Sequence, residues 1–219
     1  MTSQELYYEF HLLFNKNASY QNIDVSKGNF VHLYNRELLR WLSDYILRNN
    51  STQKIHDVQG LLTVNEKLEL SNRNDRYDSF ELPEQFFEFV DCISEVEKGG
   101  CKIKIINYIE KPKDALINLD TFAPSFNFEE GLCNISKEKV LVYVGDFKIN
   151  ATYLSYYQKP TKIDLAGYEK IDGSLSSNID SDLDERFQGE VLDRVVLEVM
   201  RQFENGNGHK LSQDRIINK

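Results

Sequence analysis

The pattern of apolar positions predicts one helix near the C-terminal end more clearly than any other element. Its apolar residues recur at the three- and four-residue spacing that lines one face of an α-helix. Ser181 is the predicted N-cap, and acidic residues follow it where the helix dipole favours negative charge. The run Asn205-Gly206-Asn207-Gly208 is predicted to end the helix. The apolar stripe consists of Leu183, Phe187, Val191, Leu192, Val195, Val196, Val199, Met200 and Phe203.

The N-terminal part of the chain is predicted to be helical as well. Residues 5–16 carry a short apolar stripe, and residues 29–48 carry a wide apolar face that includes Trp41, the only tryptophan. We interpret this second helix as the centre of a helical core. A third, shorter helix is predicted over 51–60, and one or two helical turns over 86–89 follow a Leu-Pro pair.

The middle of the chain contains a hairpin whose register can be predicted. Gly99-Gly100 is typical of a two-residue hairpin turn. This turn sets Glu95 opposite Lys104 and Glu97 opposite Lys102 on one face. Two opposite-charge pairs arise together, which favours this register over its neighbours.

A second hairpin is predicted at Gly145-Asp146, with Val142 opposite Ile149, and a further strand is predicted over 153–157. Between the two hairpins, residues 111–138 show little periodicity. An irregular segment of that length is uncommon in a compact domain unless it is functional or bound to something.

These elements predict an α+β protein rather than an alternating β-α-β fold. The expected division is a helical core over 1–87 and 159–204, and an antiparallel β-rich insertion over 88–158 that contains the irregular arm 111–138. Residues 205–219 are expected to form an extended tail.

Composition narrows the possible functions. The 219 residues carry a formal net charge of −9, which disfavours broad clamping of nucleic acid because each neutralised phosphate needs a Lys or Arg. Three cysteines without a Cys-x-x-Cys pair indicate free thiols. Nowhere does the sequence contain about 18 consecutive apolar residues, so no membrane-spanning segment is predicted.

No catalytic, cofactor or metal motif stands out. Phosphate-binding glycine loops are absent and the four histidines are scattered. Asp180, Asp182 and Asp184 alternate as in a calcium loop, but Glu185 occupies the position of the turn glycine. We therefore expect a protein that is not an enzyme and that has no cofactor. The tyrosines near 153–157 could stack on sugars or bases, but strand tyrosines that bridge a core and an interface are commoner.

Several segments together resemble a known family. They are Leu82-Pro83-Glu84, the early helix with Asn35, Trp41 and Leu42, the strand Ala151–Pro160, the connector Lys162-Ile163-Asp164-Leu165, and the acid-rich helix start at Ser181. In this order they resemble phage head–tail adaptor (connector) proteins, the ring docked beneath the portal. In style the chain is most similar to the ring proteins of crAss-like, short-tailed Bacteroides phages. The similarity covers roughly residues 5–204, and the longer β insertion departs from the all-helical members.

The resemblance implies a structural virion protein at the head–tail junction, assembled in the bacterial host cytoplasm. It would form a cyclic, dodecameric ring that binds the portal protein and the downstream tail or ring proteins. Double-stranded DNA would pass through its lumen without specific binding, and acidic charge suits such a channel. No membrane partner is expected. Core or assembly candidates are Trp41, Phe187, Val195, Val199 and Phe203. Interface candidates are Tyr153, Tyr156, Tyr157, Pro160, Lys210, Arg215 and Lys219.

Two other functions stay open. The β insertion could be a binding module that recognises carbohydrate or another virion surface. An enzyme, such as a carboxylate-dependent hydrolase, is the third possibility.

Overall fold

The computed structural model describes residues 1–17, 25–48, 56–109 and 124–217, with the backbone alone from 203 onward. The chain divides into two compact units. The helical unit comprises Met1–Gly60 and Pro160–Lys219, and the sheet unit comprises Leu61–Lys159. Three α-helices and an eight-stranded sheet among the described residues confirm the predicted α+β class.

The helical unit is built from α1 (Ser3–Asn17), α2 (Lys27–Arg48) and α3 (Glu185–Ile217). The predictions of the first two helices are confirmed, with slightly earlier starts. Each of the three helices buries one apolar stripe, and each fully buried large apolar side chain contributes about 1.5–3 kcal/mol. The buried residues include Leu6, Phe10, Phe14, Phe30, Tyr34, Leu38, Trp41, Leu42, Phe187, Val191, Leu192, Val195, Val196 and Val199.

Both predicted ends of α3 are wrong. The helix begins at Glu185, because Asp184 rather than Ser181 is its cap: the Asp184 carboxylate accepts the Arg186 amide at 3.0 Å. At the other end the backbone stays helical to Ile217, so the expected extended tail is wrong over 205–217. The glycines in that stretch weaken a helix by about 1 kcal/mol each relative to alanine, but they do not forbid it, and no proline interrupts it.

The described part of the sheet unit contains eight strands in the order β1-β8-β4-β5-β6-β7-β3-β2, and among them only β5 and β6 are parallel neighbours. The strands are β1 (Leu62–Lys67), β2 (Leu70–Arg73), β3 (Tyr77–Glu81), β4 (Phe86–Lys98), β5 (Cys101–Ile109), β6 (Glu130–Ser136), β7 (Lys139–Tyr143) and β8 (Lys148–Gln158).

The sheet is strongly curled. Strands β1 and β2 lie at opposite ends of the strand order, yet only Leu68 and Glu69 separate them in the chain. The two edges must therefore come close together. Leu68 donates its amide to Thr152 at 2.9 Å on one side, and Glu69 accepts the Glu81 amide at 3.1 Å on the other. The concave face encloses a core that includes Leu68, Phe80, Cys92, Val96, Ile105, Cys133, Val140, Val142, Ile149 and Leu154.

The register of the β4–β5 hairpin is confirmed. Glu95 pairs with Lys104 and Glu97 pairs with Lys102, as predicted. Their charged atoms are 3.5 and 3.8 Å apart. Gly99-Gly100 has φ values of 59° and 82°, and glycine suits a two-residue turn that needs positive φ at both positions.

The second predicted hairpin is wrong. Strand β7 pairs with β6 and β3, whereas β8 pairs with β4 and β1. Neither Gly145 nor Asp146 has the positive φ that a tight hairpin turn would need. The Asp146 carboxylate instead accepts the Phe126 amide at 3.1 Å, and Gly145 lies against the carbonyl of Pro124.

The sheet also begins earlier than predicted. Three strands precede residue 88, and the helical turns predicted over 86–89 are wrong because this stretch starts β4. Strands β1 and β2 are mostly exposed, so their sequences lack the apolar alternation that signals a strand. The helix predicted over 51–60 falls partly outside the described residues, and His56–Leu61 is a 3-10 helix. In the predicted irregular arm, residues 111–123 lie outside the described residues, and 130–136 form β6.

Candidate functional site

The chain between the sheet and α3 forms a hairpin in the helical unit, which we call the connector hairpin (residues 164–179). Antiparallel bridges join Asp164 to Ile179 at its base and Glu169 to Leu175 near its tip. Backbone hydrogen bonds of 2.9–3.1 Å continue between the two arms. The tip turns at Gly173, whose φ of 80° favours glycine.

Asp164 is the centre of a hydrogen-bond network that holds this hairpin. Its Oδ1 accepts the Tyr168 hydroxyl at 2.7 Å and the Leu165 amide at 2.9 Å, while Oδ2 accepts Lys170 Nζ at 2.8 Å. Burial alone would raise the pKa of Asp164, but hydrogen bonds from Lys170, Tyr168 and backbone amides outweigh it and lower that pKa. Burial and the same carboxylate raise the pKa of Tyr168 to about 12. The carboxylate is thus held charged and the phenol neutral.

Helix α2 fastens the base of the connector hairpin. The Asn35 side chain makes two hydrogen bonds with the backbone of Ile163: Oδ1 accepts its amide and Nδ2 donates to its carbonyl, each at 2.9 Å. Lys27 Nζ donates to the Ala166 carbonyl at 2.8 Å. These contacts join positions more than a hundred residues apart, so the base of the hairpin is fixed to α2.

The predicted core candidates that can be described are all buried in the helical unit. Trp41 Nε1 donates to Glu190 Oε2 at 2.8 Å, and the Trp41 ring lies 5.0 Å from the ring of Phe187. Val195 and Val199 are fully buried on α3. Phe203 lies on α3, but its side chain is outside the described part. The structure therefore brings Trp41 and Phe187 together from α2 and α3.

The tyrosine candidates are less accessible than an interface requires. Tyr156 and Tyr157 are buried in β8, and the Tyr156 hydroxyl donates to Glu66 Oε2 at 2.7 Å. Tyr153 is half-buried, with Lys104 Nζ over its ring at 5.6 Å. The buried pair cannot offer its rings to a sugar or a partner, so these two interface assignments are wrong.

None of the remaining interface candidates has a described side chain that is exposed. Pro160 is buried. Lys210 and Arg215 lie on α3 where the backbone alone is described, and Lys219 lies outside the described residues.

Among the side chains that the structure describes in the helical unit, the sequence reasoning missed the two most exposed large apolar ones. Ile171 and Leu175, at the tip of the connector hairpin, are 110% and 85% exposed relative to a reference chain. The sequence contained one weak signal: these are isolated apolar residues in a segment that is otherwise rich in Gly, Ser and Asp.

A groove of about 940 Å³ lies between α2 and the connector hairpin. Its α2 wall includes Val31, His32, Arg36 and Leu39, and its other lining residues are Lys162 and residues 168–172 of the connector hairpin. The Tyr168 ring closes one side by packing on Gly28, where an added Cβ would lie 3.3 Å from the ring.

The described residues contain no group of three or more metal-binding side chains and no helix long and apolar enough to cross a membrane. Cys92 and Cys133 are buried and Cys101 is exposed, all as free thiols. A hydrogen bond with Cys92 and burial raise the pKa of Cys133, so this thiol stays protonated and unreactive.

The sequence matches no protein-family model and no curated protein.

Proposed function

We propose that this protein is a non-enzymatic structural subunit of a phage head–tail connector. In this proposal it forms a cyclic, dodecameric ring in the virion, between the portal and the tail, and the ring lines the DNA exit channel. Its partners are other copies of itself, the portal protein and the next tail or ring protein. Double-stranded DNA passes through without specific binding.

The observation that carries the proposal is the paired hydrogen bond between Asn35 and Ile163. These residues belong to two of the segments that resemble the connector family, the early helix and the connector. Both hydrogen bonds are 2.9 Å long, and they link positions 128 residues apart. A chance likeness of short motifs would give no reason for the two segments to meet. Trp41, a third residue of the resemblance, contacts α3 through Glu190.

The architecture suits a ring subunit. The helical unit buries an apolar stripe of each helix, and it fixes a hairpin whose tip is exposed. A ring needs a contact that repeats from one subunit to the next, and an exposed, fixed hairpin could supply it. The net charge of −9 supports the lumen assignment, because attraction to DNA phosphates would retard passage.

The proposal is tested by mixing the full-length protein with the portal protein encoded by the same phage genome. Sedimentation velocity should then show one fast species that contains both proteins. Asn35→Ala should reduce its formation, because the base of the connector hairpin loses both hydrogen bonds to α2. Asn29→Ala, on the same helix, has no described hydrogen bond through its side chain and serves as the control. Separate sedimentation of the two wild-type proteins at every salt concentration would refute the proposal.

A second candidate function has one supporting observation. Ile106 and Tyr108 point outward from β5 and are about half-exposed, and Ile93 lies opposite Ile106 on β4. An exposed tyrosine beside aliphatic residues can stack on a sugar ring. Two results together would favour this carbohydrate-binding function. The protein would bind glycans on an array and lose that binding in Tyr108→Ala, and it would stay monomeric when portal protein is present.

A further inference from the structure

The curled sheet has one line along which its strands are not paired, and we call this line the seam. It lies between β2 and the first residues of β8, 148–151. Strand β1 pairs with β8 from Tyr153 to Tyr157, and the Leu68 amide extends this contact to the Thr152 carbonyl. Beyond Leu68 the chain turns towards β3, so β2 pairs with β3 and, among the described strands, not with β8. No described backbone hydrogen bond crosses the seam.

One side chain crosses the seam in place of the missing backbone hydrogen bonds. Arg73, the last residue of β2, donates from Nη2 to the carbonyl oxygen of Ile149 on β8 at 2.9 Å. The same guanidinium holds the Asp78 carboxylate of β3, with Nε 3.0 Å from Oδ2 and 3.2 Å from Oδ1. Arg73 therefore joins three strands at one point: β2, which carries it, β3 and β8.

The ion pair between Arg73 and Asp78 is buried on one side only. Asp78 is 1% exposed, whereas the Arg73 side chain is 46% exposed. The buried carboxylate needs its positive partner, because an unpaired charge away from water is unfavourable. Release is nevertheless easier than for a fully buried pair, since water reaches both charges as soon as β2 moves away. The contact can thus both hold and open.

Strand β2 has little else to hold it in place. Its four residues are all exposed, so burial of side chains stabilises it little. It forms three residue pairs with β3, and the register shifts between Leu70 and Asn72. Segments with few buried contacts open locally at a smaller free-energy cost than the whole fold.

We propose that β2 is a hinged strap of the sheet unit and that Arg73 is the latch that keeps it closed. The hinge is Leu68 and Glu69, whose backbone groups bond to β8 on one side and to β3 on the other. When the guanidinium releases Ile149 and Asp78, residues 70–73 lift away while the other strands keep their pairing. The open strap exposes the backbone edge of β3. This inference concerns the sheet unit alone and does not depend on the proposed ring.

Hydrogen exchange of the full-length protein at low denaturant concentrations tests the strap. In wild type, the amides of residues 70–73 that bond to β3 should exchange with a weak dependence on denaturant, because lifting four residues exposes little surface. The amides of the β4–β5 hairpin should show a strong dependence, because they exchange only through a larger unfolding. An equally strong dependence for both sets would show that β2 opens only when the sheet unfolds, and the strap would then be wrong.

Variants of two neighbouring arginines test the latch. Arg73→Gln should accelerate exchange of the 70–73 amides at least about tenfold, which corresponds to about 1.4 kcal/mol. Arg73→Lys keeps the charge but lacks the planar fork that serves two acceptors, so it should also accelerate exchange, though less. Arg76→Gln is the matched control, because Arg76 is exposed in the turn after β2 and its guanidinium makes no described hydrogen bond or ion pair. Equal exchange in Arg73→Gln and Arg76→Gln would overturn the assignment of the latch.

Discussion

Replacing Gly131 with alanine tests the account of the sheet core most sharply. Gly131 on β6 lies directly opposite Asn107 on β5. A Cβ at this position would lie 2.1 Å from Asn107 Oδ1 and 2.9 Å from the Cδ1 atom of Ile105. Asn107 is only 2% exposed, and its Nδ2 donates to Ser94 Oγ at 2.8 Å, so turning the amide away from an added carbon would break this buried hydrogen bond.

The cost of Gly131→Ala follows from two effects. Forcing an extra carbon into a packed core costs about 1–3 kcal/mol. If Asn107 turns away to make room, its hydrogen bond to Ser94 is lost inside the core, which costs about 1–3 kcal/mol. Some relaxation will reduce the total, so we expect the free energy of unfolding to fall by about 2–4 kcal/mol.

Equilibrium denaturant unfolding measures this change. Gly189→Ala is the matched control, because it lies in α3 with nothing within 4 Å of the added carbon. The control should be neutral or should stabilise the protein by up to about 1 kcal/mol. In an Asn107→Ala background, Gly131→Ala should cost less than about 1 kcal/mol, because its main obstacle is gone. The same cost in both backgrounds would refute the assignment of the clash to Asn107.

Three further changes test other parts of the structure. Val195→Asp should lower the free energy of unfolding by about 3–5 kcal/mol, measured by thermal or chemical unfolding, because Val195 is buried. Leu197→Asp, at an exposed position two residues along, should change it little. Equal losses for the two variants would contradict the buried stripe of α3. Asp164→Asn should lower the melting temperature at neutral pH. The difference in melting temperature from wild type should narrow as the pH falls below 3.8, the ordinary pKa of the carboxyl group, because the pKa of Asp164 in the folded protein lies lower still and its charge is lost there. A difference in melting temperature between Asp164→Asn and wild type that stays constant across this pH range would count against the network. Iodoacetamide should label only Cys101 in the native protein, as read by mass spectrometry, and rapid labelling of a buried cysteine would show that the sheet core opens.

Local signals were sufficient for some elements of the fold. The α1 and α2 stripes and the β4–β5 register are encoded by residues near one another in the chain. In the hairpin, the Gly99-Gly100 turn and two charge pairs agree, so one register is favoured. The core candidates Trp41 and Phe187 were identifiable from helical periodicity alone.

Other features depend on distant contacts that no local pattern encodes. Strand β8 pairs with β4 and β1, although the Gly145-Asp146 pair between β7 and β8 had predicted a hairpin of these two strands. Strands β1 and β2 were missed because they present mostly exposed residues. Strand β3 was missed because two of its three buried residues, Asp78 and Ser79, are polar. The connector hairpin is set by Asp164 and Asn35, whose partners become apparent only in three dimensions. Polar networks of this kind leave no periodic pattern in the sequence. The hairpin was therefore not predicted, and neither was the exposure of Ile171 and Leu175 at its tip.

The most direct test of the proposed function is electron microscopy of the full-length protein mixed with the portal protein that the proposal assigns to it. We expect a closed ring beneath the portal, with a lumen wide enough for double-stranded DNA. The resemblance of the sequence to the connector family implies twelve-fold symmetry for this ring. A protein that stays monomeric beside intact portal rings, or that binds them without forming a closed ring, would contradict it.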